Sequence, residues 1–241
     1  MSTLLNPRNS SKSPCKKYLR FNAKKGEFCF NHEDGEDILP STSETKFRLL
    51  VLDQLYCVSF VVGEYPESVF YKSNFVRSLR GDFKTKVKVY AKGQLVFSAN
   101  NEDELNAEME KRFGKRSLKK LSRIFGILLD DKGQLTNDLI SFDHKGVVSV
   151  ALISYQKENK VNFMTHPVLN IEGGGQITTN SKHPEKFKVP VFSQEEMEFQ
   201  HYELKENESI QKLSEYISEI TGSEGVGIED IEEDFEDDLP C

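Results

Sequence analysis

The stretch from Phe47 to Val62 constrains the fold more than any other part of this chain. Its residues are mostly aliphatic, aromatic or β-branched, and they are too continuous for a surface strand with one solvated face. Arg48, Asp53 and Gln54 interrupt it, so it offers no run of about 18 apolar residues that could cross a membrane. We therefore predict one or two central strands around which the remaining elements pack.

Segments on both sides of this stretch show the period-two alternation of strands. Tyr18–Phe21 and Glu27–Phe30 flank a Lys24-Lys25-Gly26 turn and predict a hairpin, whereas residues 31–43 read as a loop. Further strands are expected in segments 69–76, 84–90, 94–99, 124–129, 139–142, 161–171 and 187–192. The chain is therefore predicted to be mainly β.

Helical periodicity occurs in a few places. Asn101 can cap a helix that carries Glu104 at its third position, with Leu105, Met109 and Phe113 at four-residue spacing. We expect a second short helix or helical turn at residues 118–125, a helix at 144–156, and an amphipathic helix that includes residues 210–220 and ends at Gly222.

Composition and charge divide the chain into four segments. Its 241 residues are 37% hydrophobic and 29% charged, which indicates a globular protein. Residues 224–241 hold nine of the 39 acidic side chains and no basic one, so 30 acidic side chains face 32 basic ones elsewhere. We predict a flexible arm at 1–15, a folded domain at 16–205, the amphipathic helix at 206–222 and a disordered acidic tail at 223–241.

The sequence carries no recognisable constellation for catalysis, a cofactor or a metal. Its four cysteines and five histidines show no metal-ligand spacing, and phosphate-binding, dinucleotide, zinc-protease and nucleophile-elbow motifs are absent. Gly173-Gly174-Gly175 reads as a hairpin loop, and Asp53 as an ordinary strand residue. We expect a non-enzymatic protein without cofactors and, since no secretion signal is legible, a cytoplasmic one with reduced thiols.

Basic side chains are interleaved with aromatic ones on the predicted strands. Single-stranded nucleic acid presents phosphates and exposed base faces, so a binder without sequence preference needs cations and flat rings along one groove. Burial of many of these rings in the core is the competing interpretation. The candidate residues are Tyr18, Arg20, Phe21, Lys24, Lys25, Phe28, Phe30, Tyr71, Lys72, Phe75, Arg77, Arg80, Lys86, Lys88 and Tyr90.

A second candidate is a dense basic block between residues 111 and 123. Seven cations occur there without an acid, and phosphate is the natural counter-charge of an unpaired block of this size. An ordinary solvated helix face is the alternative. Its members are Lys111, Arg112, Lys115, Arg116, Lys119, Lys120 and Arg123.

The C-terminal residues Asp234-Phe235-Glu236-Asp237-Asp238-Leu239-Pro240-Cys241 resemble the acidic tip of bacterial single-stranded-DNA-binding proteins. In that family an acidic run ends in a hydrophobic residue, Pro and a terminal Phe, where this chain has Cys241. The resemblance implies that the tip recruits replication and repair partners by pairing carboxylates with basic residues. A generic solubilising tail explains the charge but not Phe235 or the Leu239-Pro240 ending.

Other segments resemble the OB-fold single-stranded-DNA-binding proteins of tailed bacteriophages and mobile elements. They are Leu50-Val51-Leu52-Asp53, Tyr71-Lys72-Ser73-Asn74-Phe75-Val76-Arg77, Val87-Lys88-Val89-Tyr90 and Lys188-Val189-Pro190-Val191-Phe192. The resemblance implies a five-stranded Greek-key barrel with inserted helices and a DNA groove at residues 73–77 and 86–90.

These features predict a sequence-independent single-stranded-DNA-binding protein of phage or mobile-element type. It would coat and protect DNA during replication, recombination and repair, and recruit a polymerase, helicase, primase or recombinase through its tail. A strand-annealing accessory protein, a metal-dependent nuclease using Asp53, and an interaction protein whose tail imitates DNA are the alternatives. Homo-oligomerisation stays open.

Overall fold

The structure is a computed structural model of the 241-residue chain. It describes residues 13–32, 35–39, 46–64, 66–114, 118–165, 167–173, 177–180, 183–195 and 207–221, together with Met197 and Leu204. Residues 1–12 of the expected arm, Gly222 at the end of the expected helix, and the expected tail at 223–241 lie outside the described residues. Cys15, the last residue assigned to the arm, is buried.

A single strand of 17 residues, β4 (Lys46–Val62), is the centre of the fold. One edge pairs along its length with β8 (Lys119–Leu129), with a register shift between Val51 and Asp53. The other edge pairs with β10 (Val168–Glu172) and then with β5 (Val69–Ser73). Neighbours on both edges and cores on both faces explain why this segment is so continuously apolar.

Further strands extend the sheet on both sides of β4. The order is β3-β2-β1-β9-β8-β4-β5-β6-β7, and β13 (Val191–Glu195) pairs with β10. The remaining strands of this order are β1 (Lys17–Asn22), β2 (Glu27–His32), β3 (Gly35–Ile38), β6 (Asp82–Ala91), β7 (Gln94–Asn101) and β9 (Leu135–Lys145). A separate hairpin joins β11 (Ile177–Asn180) to β12 (His183–Lys188).

The main sheet is mixed and open. β1 and β9 are parallel, whereas the other pairs are antiparallel. Within the described residues no pairing joins β7 to β3, the two ends of the order. The prediction of a mainly β protein is confirmed.

Three helices cover different parts of the sheet. In α1 (Glu102–Phe113), Leu105 and Met109 are buried against β6 and β7. The helix α2 (Val147–Glu158) packs beside β9 and β13, and a 3-10 turn follows at Phe163–Thr165. The amphipathic α3 (Glu208–Thr221) packs over Phe125 and the adjoining core of β8 and β9.

Local predictions hold where the signal is local. The Asn101 side chain accepts a hydrogen bond from the Glu104 N–H at 2.8 Å, as the capping pattern predicts. The hairpin at Tyr18–Phe30 and the helix predicted at 144–156 are also present, the latter beginning at Val147.

Three local predictions are wrong. Segment 161–171 is not a single strand, because Phe163–Thr165 form a 3-10 turn and β10 begins only at Val168. Residues 119–125 form the beginning of β8 rather than a helix, because they pair with β4 and β9 on both edges. Residues 31–43 are not entirely loop, since β2 extends to His32 and β3 pairs with it.

The three described cysteines are structural thiols. Cys15, Cys29 and Cys57 are free and buried. Burial raises the pKa of Cys15 to about 12 and that of Cys57 to about 11. These two thiols are therefore protonated, and correspondingly unreactive, at neutral pH.

Candidate nucleic-acid interface

The strands from β8 to β7 have two chemically different faces. Directly paired residues in an antiparallel sheet point to the same face, so the register assigns each side chain. One face carries Val58, Phe60, Val87 and Val89, which are buried beneath α1. We call this the inner face and the opposite side the outer face.

A row of cross-strand residue pairs, which runs from β8 through β4, β5 and β6 to β7, defines the outer face. Lys119 pairs with Ser59, Ser59 with Lys72, Lys72 with Tyr90, and Tyr90 with Leu95. The neighbouring pairs Val61–Phe70 and Lys88–Ser98 lie on the same side by alternation, as does Lys86. The outer face therefore consists of Ser59, Val61, Phe70, Lys72, Lys86, Lys88, Tyr90, Leu95, Ser98 and Lys119.

Large apolar side chains remain exposed on this face. Phe70 is 41% exposed, Val61 49% and Leu95 55%, whereas their neighbours on the inner face are buried or partly buried. Exposed apolar groups that cluster on one surface are typical of binding sites. The helix α3 covers the adjoining part of this side near Leu55 and Phe125, and the ten outer-face positions lie beyond it.

The outer face is also positively charged. It carries four lysines at positions 72, 86, 88 and 119, and none of its ten residues is acidic. Among the described residues, no carboxylate forms an ion pair with these lysines. The charge of Lys86 acts on the nearby Glu104 carboxylate, whose pKa is lowered mainly by its hydrogen bonds to Asn100. The face thus combines aromatic surface with lysines that form no ion pair among the described residues, as an interface with single-stranded nucleic acid requires.

The two aromatic residues at the start of β5 point in opposite directions. The Tyr71 ring stacks on Phe60 with centroids 4.8 Å apart and meets the edge of Phe113 at 4.9 Å. Tyr71 therefore lies on the inner face, partly buried against that core, and does not share a face with the outer-face lysines; its contact with DNA stays a prediction. Phe70 occupies the outer position, although it was not among the predicted residues. Period-two alternation allows only one of two adjacent rings on a face, but the sequence does not say which.

A buried arginine fixes two predicted rings at the margin of the outer face. Arg123 donates to both Asp143 carboxylate oxygens, from Nε at 2.6 Å and from Nη2 at 2.8 Å. Its guanidinium carbon lies 4.8 Å from the Phe75 ring centroid and 5.5 Å from that of Tyr18. Lys72 Nζ lies 5.2 Å from the Phe75 ring.

The Arg123 guanidinium stays protonated despite its burial. Desolvation alone would lower its pKa, but the hydrogen bonds and the charge of Asp143 outweigh desolvation, so the pKa is raised. Tyr18 and Phe75 are therefore held by a permanent cation and remain only partly buried.

Arg77 and Asp53 form an ion pair away from the row. Arg77 Nη1 lies 3.0 and 2.8 Å from the two Asp53 carboxylate oxygens, and Asp53 is buried. Arg80 is exposed, and its charge opposes the rise in the Tyr56 pKa that is caused mainly by burial. In the part of the chain that the structure describes, no three His, Cys, Asp or Glu side chains are grouped to hold a metal ion.

The basic block at 111–123 is not the unpaired patch that the sequence predicts. Lys111 and Arg112 pair with Glu108 at 4.0 and 2.7 Å. Lys120 pairs with Glu102 at 3.1 Å, and Arg123 with Asp143. Lys111 and Arg112 lie on α1, which covers the inner face, so they do not join the outer-face lysines. Lys119 does join them, while Lys115 and Arg116 lie outside the described residues.

The predicted residues on β1 and β2 divide between core and surface. Phe28 has no exposed surface and packs against Phe21 and Phe47, so its ring is core in this structure and offers no face to a base. Phe30 is partly buried against Phe47. The cations of this hairpin stay exposed, with Arg20 3.1 Å from Glu36 and Lys25 3.8 Å from Glu27; Lys24 lies in the turn between the strands.

The predicted partner-binding residues from Asp234 to Cys241 lie outside the described residues. Thr221 is the last described residue of α3, and within this helix the Tyr216 ring lies 6.3 Å from the Phe125 ring. No helix in the described ranges is both long and apolar enough to span a bilayer.

Comparison with protein-family models, curated proteins and solved structures gives no match.

Proposed function

We propose that this protein binds single-stranded DNA on the outer face, without sequence preference, and recruits other proteins through its acidic tail. The observation that carries the proposal is that the exposed Phe70 ring and the partly exposed Tyr90 ring share one face, across five strands, with four lysines that form no ion pair among the described residues. An ordinary surface would intersperse carboxylates among these lysines, and an ordinary core would cover Phe70 and Leu95.

The aromatic and the basic side chains of the outer face each match one property of an unpaired DNA strand. Phe70 and Tyr90 offer aromatic faces on which bases can stack, worth about 1–3 kcal/mol per base without discriminating between bases. The lysines offer positive charge to phosphates and release counterions when they bind. Five strands about 4.8 Å apart make a face roughly 19 Å wide, enough for a few nucleotides.

The order of strand pairing supports the OB-like part of the proposal. Strands β4, β5 and β6 are consecutive antiparallel neighbours, and β8 returns after α1 to pair with the other edge of β4. With β7 beyond β6, the spatial order is fifth-first-second-third-fourth, so the return of β8 beside β4 is that of a Greek key with one additional consecutive strand. We infer that β4, β5, β6, β8 and β9 form an OB-like unit. OB folds bind nucleic acid on their second and third strands, which here would be β5 and β6.

The acidic tail has two roles in this proposal. Its nine carboxylates, with Phe235 and Leu239-Pro240, suit a partner surface that joins basic residues to a small apolar pocket. The same carboxylates can compete with phosphates for the outer-face lysines when DNA is absent. The protein would thereby act in phage or mobile-element DNA replication, recombination and repair, without a catalytic step of its own.

The test is fluorescence anisotropy with labelled single-stranded and duplex oligonucleotides over a salt series. We expect single strands to bind more tightly, and the logarithm of the binding constant to fall by about 0.7 per phosphate contact for each unit of log salt. A binding constant that does not change with salt concentration, or tighter binding of duplex than of single strands, would contradict the proposal. Annealing of complementary strands and magnesium-dependent cleavage, measured in parallel, would reveal the two nearest alternatives.

A further inference from the structure

The side of the sheet that carries the outer face continues past β8 onto β9. Cys57 stands two residues before Ser59 on β4, so it lies on the same side, and it pairs with Leu121. Leu121 in turn pairs with Lys145 at the end of β9. Lys145 therefore shares a side of the sheet with the outer face, although it lies beyond the ten outer-face residues.

The next row of pairs carries the same side on to β1. Arg123 pairs with Leu55 on β4 and with Asp143 on β9. Asp143 is in register with Arg20 on β1, and Tyr18 stands two residues from Arg20. Alternation along each strand therefore places Tyr18 and Arg20 on the side of the outer face as well.

Rings and cations alternate from the outer face to β1. Tyr90 pairs with Lys72, whose Nζ lies 5.2 Å from the Phe75 ring centroid. The Arg123 guanidinium carbon lies 4.8 Å from the Phe75 centroid and 5.5 Å from that of Tyr18. Cation–π attraction stabilises each of these contacts. The series reaches from β6 to β1, across the whole width of the sheet between them.

The two rings at the far end of this series keep part of their surface in water. Tyr18 and Phe75 are only partly buried, and Lys145 is exposed. Arg123 is 8% exposed and donates to both Asp143 oxygens, so it positions the rings rather than offering its own charge to a ligand. We call Tyr18, Phe75 and Lys145 the β1 region.

Lys145 is the cation of the β1 region, and it forms no ion pair among the described residues. The nearest carboxylate along its strand, Asp143, is held by Arg123 through both oxygens. Arg20, on the neighbouring strand, lies 3.1 Å from Glu36. A phosphate that reaches this region therefore meets a lysine that no described carboxylate pairs with.

The helix α3 borders the β1 region. Its Tyr216 ring lies 6.3 Å from the Phe125 ring, and Phe125 stands two residues from Arg123 on the same side of β8. The helix therefore stands above the sheet along one margin of the region. A polymer that crosses the outer face toward β8 is thus bounded by α3 on one side and continues over Phe75 toward Tyr18.

We propose that the β1 region is a second contact region for single-stranded DNA, which holds the part of a bound strand that extends past β8. Bases stack on Phe75 and Tyr18, and a phosphate contacts Lys145. From β7 to β1 the sheet spans about 29 Å, against about 19 Å for the outer face alone. This inference rests on the proposed function for its ligand, and it adds that affinity depends on the length of the strand.

The experiment compares labelled thymidine tetramers and dodecamers by fluorescence anisotropy with the full-length protein. The outer face can hold a tetramer alone, whereas a dodecamer is long enough to reach the β1 region as well. Tyr18→Leu should raise the dodecamer dissociation constant about 5- to 150-fold, as expected when one base loses its stacking partner. It should leave the tetramer unchanged, and Tyr18→Phe, which keeps the ring, should leave both unchanged.

Lys145→Glu tests the same region without altering a packed ring. Lys157→Glu is its matched control, because it makes the same charge change at an exposed position of α2. The buried side of α2 shares a core with Ile124, which neighbours Arg123 on β8 and points to the opposite side of the sheet. Only Lys145→Glu should weaken dodecamer binding, and it should lower the salt slope by about one phosphate contact.

Phe70→Ala, measured with the same two oligonucleotides, separates this inference from the proposed function. Weaker tetramer binding in Phe70→Ala, with dodecamer binding unchanged in Tyr18→Leu and Lys145→Glu, would overturn the β1 region alone. Equal losses in Lys145→Glu and Lys157→Glu would also overturn it. Weaker dodecamer binding in Tyr18→Leu and Lys145→Glu, with no effect of Phe70→Ala on either oligonucleotide, would support the β1 region and overturn the outer face as the site.

Discussion

Substitution of Phe70 tests whether the exposed ring of the outer face serves binding. Phe70 is 41% exposed and pairs with Val61 across the β4–β5 ladder. If a base stacks on this ring, Phe70→Ala should remove about 1–3 kcal/mol of binding free energy. Since 1.4 kcal/mol is tenfold in affinity, the dissociation constant should rise about 5- to 150-fold.

The cost to folding should be modest. Complete burial of a Phe side chain contributes about 1.5–3 kcal/mol, so a ring that keeps two fifths of its surface in water contributes about 1–2 kcal/mol. Urea unfolding of Phe70→Ala should show a loss of that size with an unchanged slope. The fold should therefore survive while the affinity falls.

The assay is anisotropy with a labelled thymidine oligonucleotide at fixed low salt. Leu95→Ala is the matched control, because Leu95 is exposed on the same face but has no aromatic ring. Phe70→Tyr should keep most of the affinity. Wild-type binding by Phe70→Ala, or an equal loss in Leu95→Ala, would refute base stacking at this position.

Three further predictions concern charge and pH. Lys88→Glu on the outer face should weaken binding and lower the salt slope by about one contact, whereas Lys111→Glu on α1 should leave the slope unchanged in the same anisotropy series. Deletion of residues 224–241 should tighten binding at low salt and abolish partner capture; an unchanged low-salt affinity would argue against competition by the tail. Burial lowers the pKa of His144 to about 4, below the unfolded value near 6.5. Protons therefore bind the unfolded chain first, and stability measured by urea unfolding should fall between pH 6.5 and 4, by on the order of 3 kcal/mol; a profile for His144→Gln that falls equally would refute this assignment.

Much of the local structure is predictable because its signals are local. The Asn101 cap, the period-two alternation in β6 and the Lys24-Lys25-Gly26 turn each involve residues within a few positions of one another. The sequence predicts a helix at 118–125 because Leu118, Leu121 and Phe125 fit a helical spacing. Its strand character depends instead on pairing with β4 and β9, which are distant in sequence.

The candidate site is less predictable because it depends on long-range register. Whether Phe70 or Tyr71 faces outward is decided by which of them pairs opposite the buried Phe60. The segment 111–123 has an excess of positive charge only when it is considered alone. Asp143, which pairs with Arg123, lies 20 residues from it along the chain and directly opposite it in the sheet. Sequence therefore identifies the kinds of side chain but not their shared face.

The most direct test of the central claim is photocrosslinking of an iodouracil-substituted single strand to the full-length protein, with the crosslinked peptides identified by mass spectrometry. The account predicts crosslinks at Phe70 and Tyr90 on the outer face and at Phe75 on its margin. Crosslinks confined to α1 and the inner side of the sheet, with none at these three rings, would contradict it.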